Sequence, residues 1–204
     1  MKELVFLLEE ESAKAMLESL LPRILNPEIK ARLIPFEGKQ DLEKQMTKRM
    51  RGYVNPQARF IVLRDQDSAP DCTQVKARLV ERCQHAGQAA KSLVRIACKE
   101  LETFYLADLN AVEQGLALKK LATQQGSAKF RDPDRLGSPS KELTALTKGA
   151  YQKVSGPFLS GLSWKACHPL LLHCHRYRHW SHSPVPEEAD RHQTFDSVSA
   201  RCCG

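Results

Sequence analysis

The chain has 204 residues, of which 42% are hydrophobic and 27% charged, with a formal net charge of +7. These proportions are ordinary for a soluble globular protein and give no ground for reading the chain as disordered; the length suits one domain with a proper core plus an extension. The positive balance favours a polyanionic partner such as nucleic acid without selecting one.

Leu4-Val5-Phe6-Leu7-Leu8 reads as a first strand. It is too short for a signal-peptide core or a membrane span, and Glu9-Glu10-Glu11 follows at once, so a cytoplasmic protein with no membrane partner is expected. Ser12 to Leu21 reads as a helix with Ala13, Met16, Leu17 and Leu20 on one face, Ser12 as its N-cap and Pro22 near its end. Ala31 to Phe36 is a weaker second strand, and Pro35 suggests a sheet edge or a strand end. A charged helix is expected from about Asp41 to Arg51. Arg59 to Leu63 is the third strand. Asp71 caps a helix from Thr73 to about His85, with Val75, Leu79, Val80 and Cys83 on its apolar side. Ser92 to Cys98 is the fourth strand, and Glu100 to Leu116 reads as one long amphipathic helix with Leu101, Tyr105, Leu109 and Val112 inward. A polar loop over Lys129 to Gly137 precedes a short helix from Pro139 to Leu146, with Ser138 as its cap. Cys72, Cys83 and Cys98 read as buried thiols in a reducing compartment.

Strands alternating with helices predict a three-layer α/β sandwich, Rossmann-like, with a mainly parallel central sheet of about four strands. In such a sheet the C-terminal strand ends share one edge, where ligand sites form. Carboxylates follow three of these ends: Glu9, Glu10 and Glu11; Asp65 and Asp67; Glu100 and Glu102. In Phe60-Ile61-Val62-Leu63-Arg64-Asp65-Gln66-Asp67 the two aspartates are spaced to share one side of an extended chain. Hard oxygen ligands so placed suit Mg²⁺ or Mn²⁺, which neutralises a transferring phosphate and activates water. Each acid also has a plainer reading: Asp-x-Asp is common in turns, Glu11 suits a first helical turn, and Glu100 suits a solvated helix start.

Glu9-Glu10-Glu11-Ser12 after a first strand, with Asp65-x-Asp67 after a third, resembles the TOPRIM arrangement. More closely, the chain resembles the DUF4276 family of TOPRIM-like bacterial proteins. The segments concerned are Phe36-Glu37-Gly38-Lys39-Gln40-Asp41-Leu42, Leu63 to Asp67, Glu102-Thr103-Phe104-Tyr105-Leu106-Ala107-Asp108, and Lys129 to Gly137 followed by Tyr151-Gln152-Lys153. They span most of residues 1–156, the expected TOPRIM-like domain. The resemblance implies a Mg²⁺-dependent site acting on nucleic acid. It makes Glu9 a general acid/base or metal ligand, Asp65 and Asp67 metal ligands, and Glu102 a further acid. Lys153 resembles a late lysine that stabilises phosphate charge, and a solvated surface lysine is its plain alternative. Where the TOPRIM pattern has glycine after the glutamate, this chain has Glu10. The implied setting is bacterial phage defence or a mobile element, beside an ATPase partner protein.

The texture changes near Gly156. No Asp or Glu occurs from Leu143 to Pro186, and Trp164 and Trp180 both lie beyond Gly156. Residues 157–204 read as an irregular Cys/His-rich extension that packs poorly, and a shifted reading frame would account for it. Cys167, His168, His173, Cys174, His175, His179 and His182 offer ligands suited to Zn²⁺, but the Cys167–Cys174 spacing is not that of the common zinc motifs. Function is thus expected to be that of a metal-dependent nuclease or related phosphodiester-acting protein. The alternatives are a non-catalytic TOPRIM-like module that binds nucleic acid or a partner, and a different phosphotransfer chemistry at the same sheet edge.

Overall fold

The computed structural model describes residues 2–153. Trp164, Trp180, the Cys/His set and the packing of the C-terminal extension lie outside the described residues. The elements run β1 (Glu3–Leu8), α1 (Glu11–Ile24), β2 (Lys30–Pro35), α2 (Lys39–Arg51), β3 (Ala58–Asp65), α3 (Cys72–His85), β4 (Ser92–Ala97), α4 (Thr103–Leu106), α5 (Leu109–Gly115) and α6 (Pro139–Leu146). The four strands form one sheet in the order β2-β1-β3-β4, and every pairing is parallel. This is a three-layer, Rossmann-like α/β sandwich. β1 and β3 are the central neighbours, as their unbroken apolar runs require of strands covered on both faces. β2 takes an edge, and Pro35, which cannot donate to the ladder, is its last residue.

Alternation along the central strands feeds two cores. Leu4, Phe6 and Leu8 of β1 and Ile61 and Leu63 of β3 pack against Met16, Leu17 and Leu20 of α1 and against α4–α6. Val5, Leu7, Phe60 and Val62 pack instead on Leu42, Met46 and Met50 of α2 and Val75 and Leu79 of α3. The spacing of Leu42, Met46 and Met50 gives an otherwise charged helix one buried stripe. Truncating a fully buried side chain such as Leu20 to Ala removes about 2–5 kcal/mol.

Three expectations are corrected. The N-cap of α1 is Glu10, in extended backbone, and Ser12 lies inside the helix, its hydroxyl donating to Glu10 Oε1 at 2.5 Å. The expected long helix over Glu100–Leu116 is two short ones. Asp108 separates them, its side chain accepting from Ala111 N at 3.0 Å and so capping α5. An aspartate that caps a following turn competes with helix continuation, and here it prevails. Of the expected buried thiols, Cys83 is buried and Cys98 only half-buried. The expected Asp71 cap is present: its carboxylate accepts from Thr73 N at 2.7 Å. Ser138 holds the N-cap position of α6 without a side-chain cap bond, and Pro139 follows at the first helical position. Among the described residues no helix is long and apolar enough to cross a membrane.

Candidate functional site

Strand register decides which acids meet. Leu8 pairs with Leu63, so Glu9 emerges beside Arg64 at the C-terminal edge of the sheet. The Glu9 N–H donates to Leu63 O at 3.2 Å, continuing the ladder one residue past β1. The Glu9 side chain then folds over the end of β3, where its Oε2 accepts from the Asp65 N–H at 2.9 Å. Gly38 secures the turn from the other side. Its φ of 96° lies in the left-handed region that favours glycine, and its N–H donates to Glu9 O at 2.9 Å.

Asp65 ends β3 opposite Ala97 and is buried. Burial pushes its carboxyl pKa well above the usual range, the charge of Glu9 adds to this, and Glu102 and Glu10 add further; a hydrogen bond from the Leu101 backbone works the other way. Glu9 is raised as well, first by burial, against which the hydrogen bond from Asp65 N acts, and then by the charge of Asp67. Glu102 is only 1% exposed. Its Oε1 accepts from the Tyr151 hydroxyl at 2.7 Å, and its Oε2 is buried with no hydrogen-bond partner. Burial and the charge of Glu102 push the Tyr151 phenol far upward, so it stays a donor.

The remaining predicted acids divide. Asp67 does not continue the extended chain. The strand stops at Asp65, and Asp67 sits at φ 54° with its N–H on Lys99 O at 2.7 Å. The shared-side argument for the two aspartates assumed extended backbone through residue 67, and that condition fails. Asp67 Oδ2 instead takes Lys39 Nζ at 2.9 Å. Glu10 pairs with Lys153 Nζ at 2.9 Å. Burial works against the Lys153 ammonium, but the hydrogen bond and charge of Glu10 outweigh it and raise its pKa, helped by Glu102 and Asp65. Glu11 pairs with Lys14 in the first turn of α1. Glu100 Oε2 accepts from Ser140 N at 2.7 Å, tying down the start of α6. Glu11 and Glu100 therefore have local structural roles.

Sequence reasoning passed over Lys39, Arg64 and Tyr151 as site residues. Lys39 and Tyr151 lie within segments it singled out, yet their partners are 28 and 49 residues away. Arg64 stood inside the Asp-x-Asp segment itself.

Among the described residues no group of three or more His, Cys, Asp or Glu side chains stands ready to hold a metal ion. Mg²⁺ makes a smaller demand, since it keeps several waters and binds through one or two carboxylates plus substrate phosphates. Glu9 and Asp65 form such a pair, and the unpartnered Glu102 Oε2 adds a buried acceptor whose charge Asp65 feels. The donor set fits a hard divalent cation on these terms.

A family model described as a domain of unknown function (DUF4276) matches residues 8–162, running past the boundary expected near Gly156. No curated protein and no solved structure matches the chain.

Proposed function

The chain belongs to the DUF4276 family, and from that premise we propose that it is a TOPRIM-like, cytoplasmic, metal-dependent nuclease or related phosphodiester-acting protein. The observation that carries this reading is the meeting of half-buried Glu9 with buried Asp65 at the C-terminal sheet edge, with both carboxyls raised in pKa and Glu102 close enough to contribute. Clustered acids that repel one another at a strand end are expensive to maintain and mark a functional site more often than a structural one.

Bound Mg²⁺ or Mn²⁺ would supply charge neutralisation on phosphate and an activated water. Glu9 and Asp65 would hold the ion, with Glu102 behind them and Asp67 joining when Lys39 releases it. Glu9 Oε2 is engaged by the Asp65 N–H, which fixes the carboxyl and leaves Oε1 to hold or move a proton. Tyr151 orients Glu102 through Oε1 and turns Oε2 away from that bond. Lys153, at the same edge beside Glu10, would place positive charge near a transferring phosphate. Nucleic acid is the proposed partner, and a phage-defence or mobile-element setting with an ATPase alongside follows from the family resemblance.

The test is cleavage of single- and double-stranded DNA and RNA in Mg²⁺, Mn²⁺ or EDTA, with the Asp65→Asn/Asp67→Asn double variant beside the unmodified protein. Cleavage lost in EDTA and in the double variant supports the proposal. Full activity in the double variant puts the site elsewhere. One observation favours a second reading, a non-catalytic binding module: Asp67 and Glu10 are both already paired with lysines. No cleavage, together with no ion-dependent rise in melting temperature, would select it.

A further inference from the structure

A second cluster lies across the sheet edge from Asp65. Arg64 alternates with Asp65 along β3, so its side chain enters the α2–α3 layer. There it meets Glu43 of α2, which also takes Arg82 Nη2 of α3 at 3.1 Å. Arg64 is 5% exposed, and its Nε, enclosed and without a hydrogen-bond partner, lies 3.8 Å from Glu9 Oε2. These side chains line an open cleft with Lys39, Gln40 and Lys44. Four cations therefore line the cleft with one carboxylate, Glu43, in a wall that includes the first turn of α2; Lys39 is also paired with Asp67, and Arg64 with Glu9. That helix begins at Gly38 with no side-chain cap, so its first N–H groups carry the positive end of the helix dipole, which Asp41 in the first turn offsets in part.

The Arg64 and Arg82 guanidinium groups, the exposed Lys44 and the start of α2 make up an anion site. We propose that this cleft binds a phosphate group, and that it seats a backbone phosphate of the nucleic acid next to the one held at Glu9 and Asp65. The proposal rests on the nucleic-acid reading above. Glu9 stands between the two clusters, 3.8 Å from Arg64 Nε and hydrogen-bonded to Asp65 N, so a strand crossing the sheet edge would meet both. Arg64 and Arg82 would share the anion, Lys39 and Lys44 would add charge at the rim, and Glu43 would hold the two guanidinium groups in place.

The experiment measures binding of a fluorescent single-stranded oligonucleotide in EDTA over a salt series, so that no ion-dependent step contributes. Lys44→Ala and Arg82→Ala should each raise Kd and lower the salt slope by about 0.7 for every phosphate left unneutralised. Lys119→Ala, an exposed lysine elsewhere, should change neither. Glu43→Gln should lower Kd, since it removes the cleft's one negative charge; a purely structural cluster would not give opposite signs for Glu43 and Arg82. Melting curves on the same variants, with and without inorganic phosphate, guard against a folding defect. Phosphate should raise the melting temperature of Glu43→Gln more than that of the unmodified protein. Phosphate stabilisation that Arg82→Ala abolishes, with oligonucleotide affinity unaffected by any variant, would assign the cleft to a small phosphorylated ligand and overturn the backbone placement. No phosphate effect and no change in Kd or slope would overturn the site altogether. Altered binding without cleavage under any metal would leave the cleft standing and remove the nuclease reading, whereas unaltered binding with metal-dependent cleavage would do the reverse.

Discussion

The Glu9 carboxylate accepts a hydrogen bond from the backbone N–H of Asp65 at 2.9 Å, so the first candidate acid is fixed by the strand end that carries the second. This bond separates structure from chemistry at one side chain. Glu9→Gln keeps an oxygen for the Asp65 N–H and removes the charge. Its melting temperature should match or exceed that of the unmodified protein, while metal-dependent cleavage falls about 10²–10⁴-fold. Glu9→Ala leaves the N–H without its partner and should cost about 1–3 kcal/mol in urea unfolding. Equal loss of stability in both variants would mean the bond does not form.

The raised pKa of Asp65 sets the sign of a pH effect. A carboxyl whose pKa is higher in the folded state binds its proton more tightly there than in the unfolded chain. Its contribution is full below the ordinary carboxylate pKa of about 4 and is lost as pH rises from there through the folded value. Glu9 acts in the same direction. Without divalent ions, stability should therefore carry a component that declines above about pH 4. Asp65→Asn should flatten that decline and melt higher at neutral pH. Adding Mg²⁺ should stabilise the unmodified protein more than the variant. Parallel melting-temperature profiles for the two proteins from pH 4 to pH 8 would contradict this.

Buried Glu102 gives a third prediction. The Tyr151 hydroxyl is its hydrogen-bond donor at Oε1, while Oε2 has none. Tyr151→Phe leaves both oxygens of a buried carboxylate unpartnered and should cost about 1–3 kcal/mol or more. Glu102→Leu with Tyr151→Phe replaces both polar partners and should be less destabilised than Tyr151→Phe alone. Urea unfolding of the two single variants and the double variant measures the coupling. Additive losses would show that the hydroxyl and the carboxylate are energetically independent.

These outcomes bear on how far the residues announce the site. The central strands were legible because Leu4–Leu8 and Phe60–Leu63 are uninterrupted apolar runs, which a doubly covered parallel strand requires. The break at Asp108 was not, because Leu101, Tyr105, Leu109 and Val112 keep helical spacing across it and all reach the same core. Asp67 looked like a strand-end partner of Asp65 until its left-handed backbone turned it toward Lys39. Arg64 was invisible as a site residue because its role depends on α2 and α3 bringing Glu43 and Arg82 to it. Short-range pattern fixes elements and strand ends; contacts between distant elements decide which polar groups meet.

Lys153 and Glu10 decide how far the site extends toward α1. Their ion pair is 2.9 Å long, with side-chain exposures of 51% and 32%. A pair so open to solvent contributes about 0–1 kcal/mol. Neither Lys153→Ala nor Glu10→Ala should therefore move the melting temperature by more than a few degrees. Cleavage should separate them. If Lys153 places its charge on the transferring phosphate, Lys153→Ala should lower kcat about 10²-fold with little change in KM, the pattern of an interaction made chiefly in the transition state. Glu10→Ala releases the ammonium and should leave kcat near that of the unmodified protein. Lys153→Arg, which keeps the charge, should recover part of the loss. An unchanged kcat in Lys153→Ala would reduce the residue to a surface partner of Glu10 and confine the chemistry to Glu9, Asp65 and the acids around them.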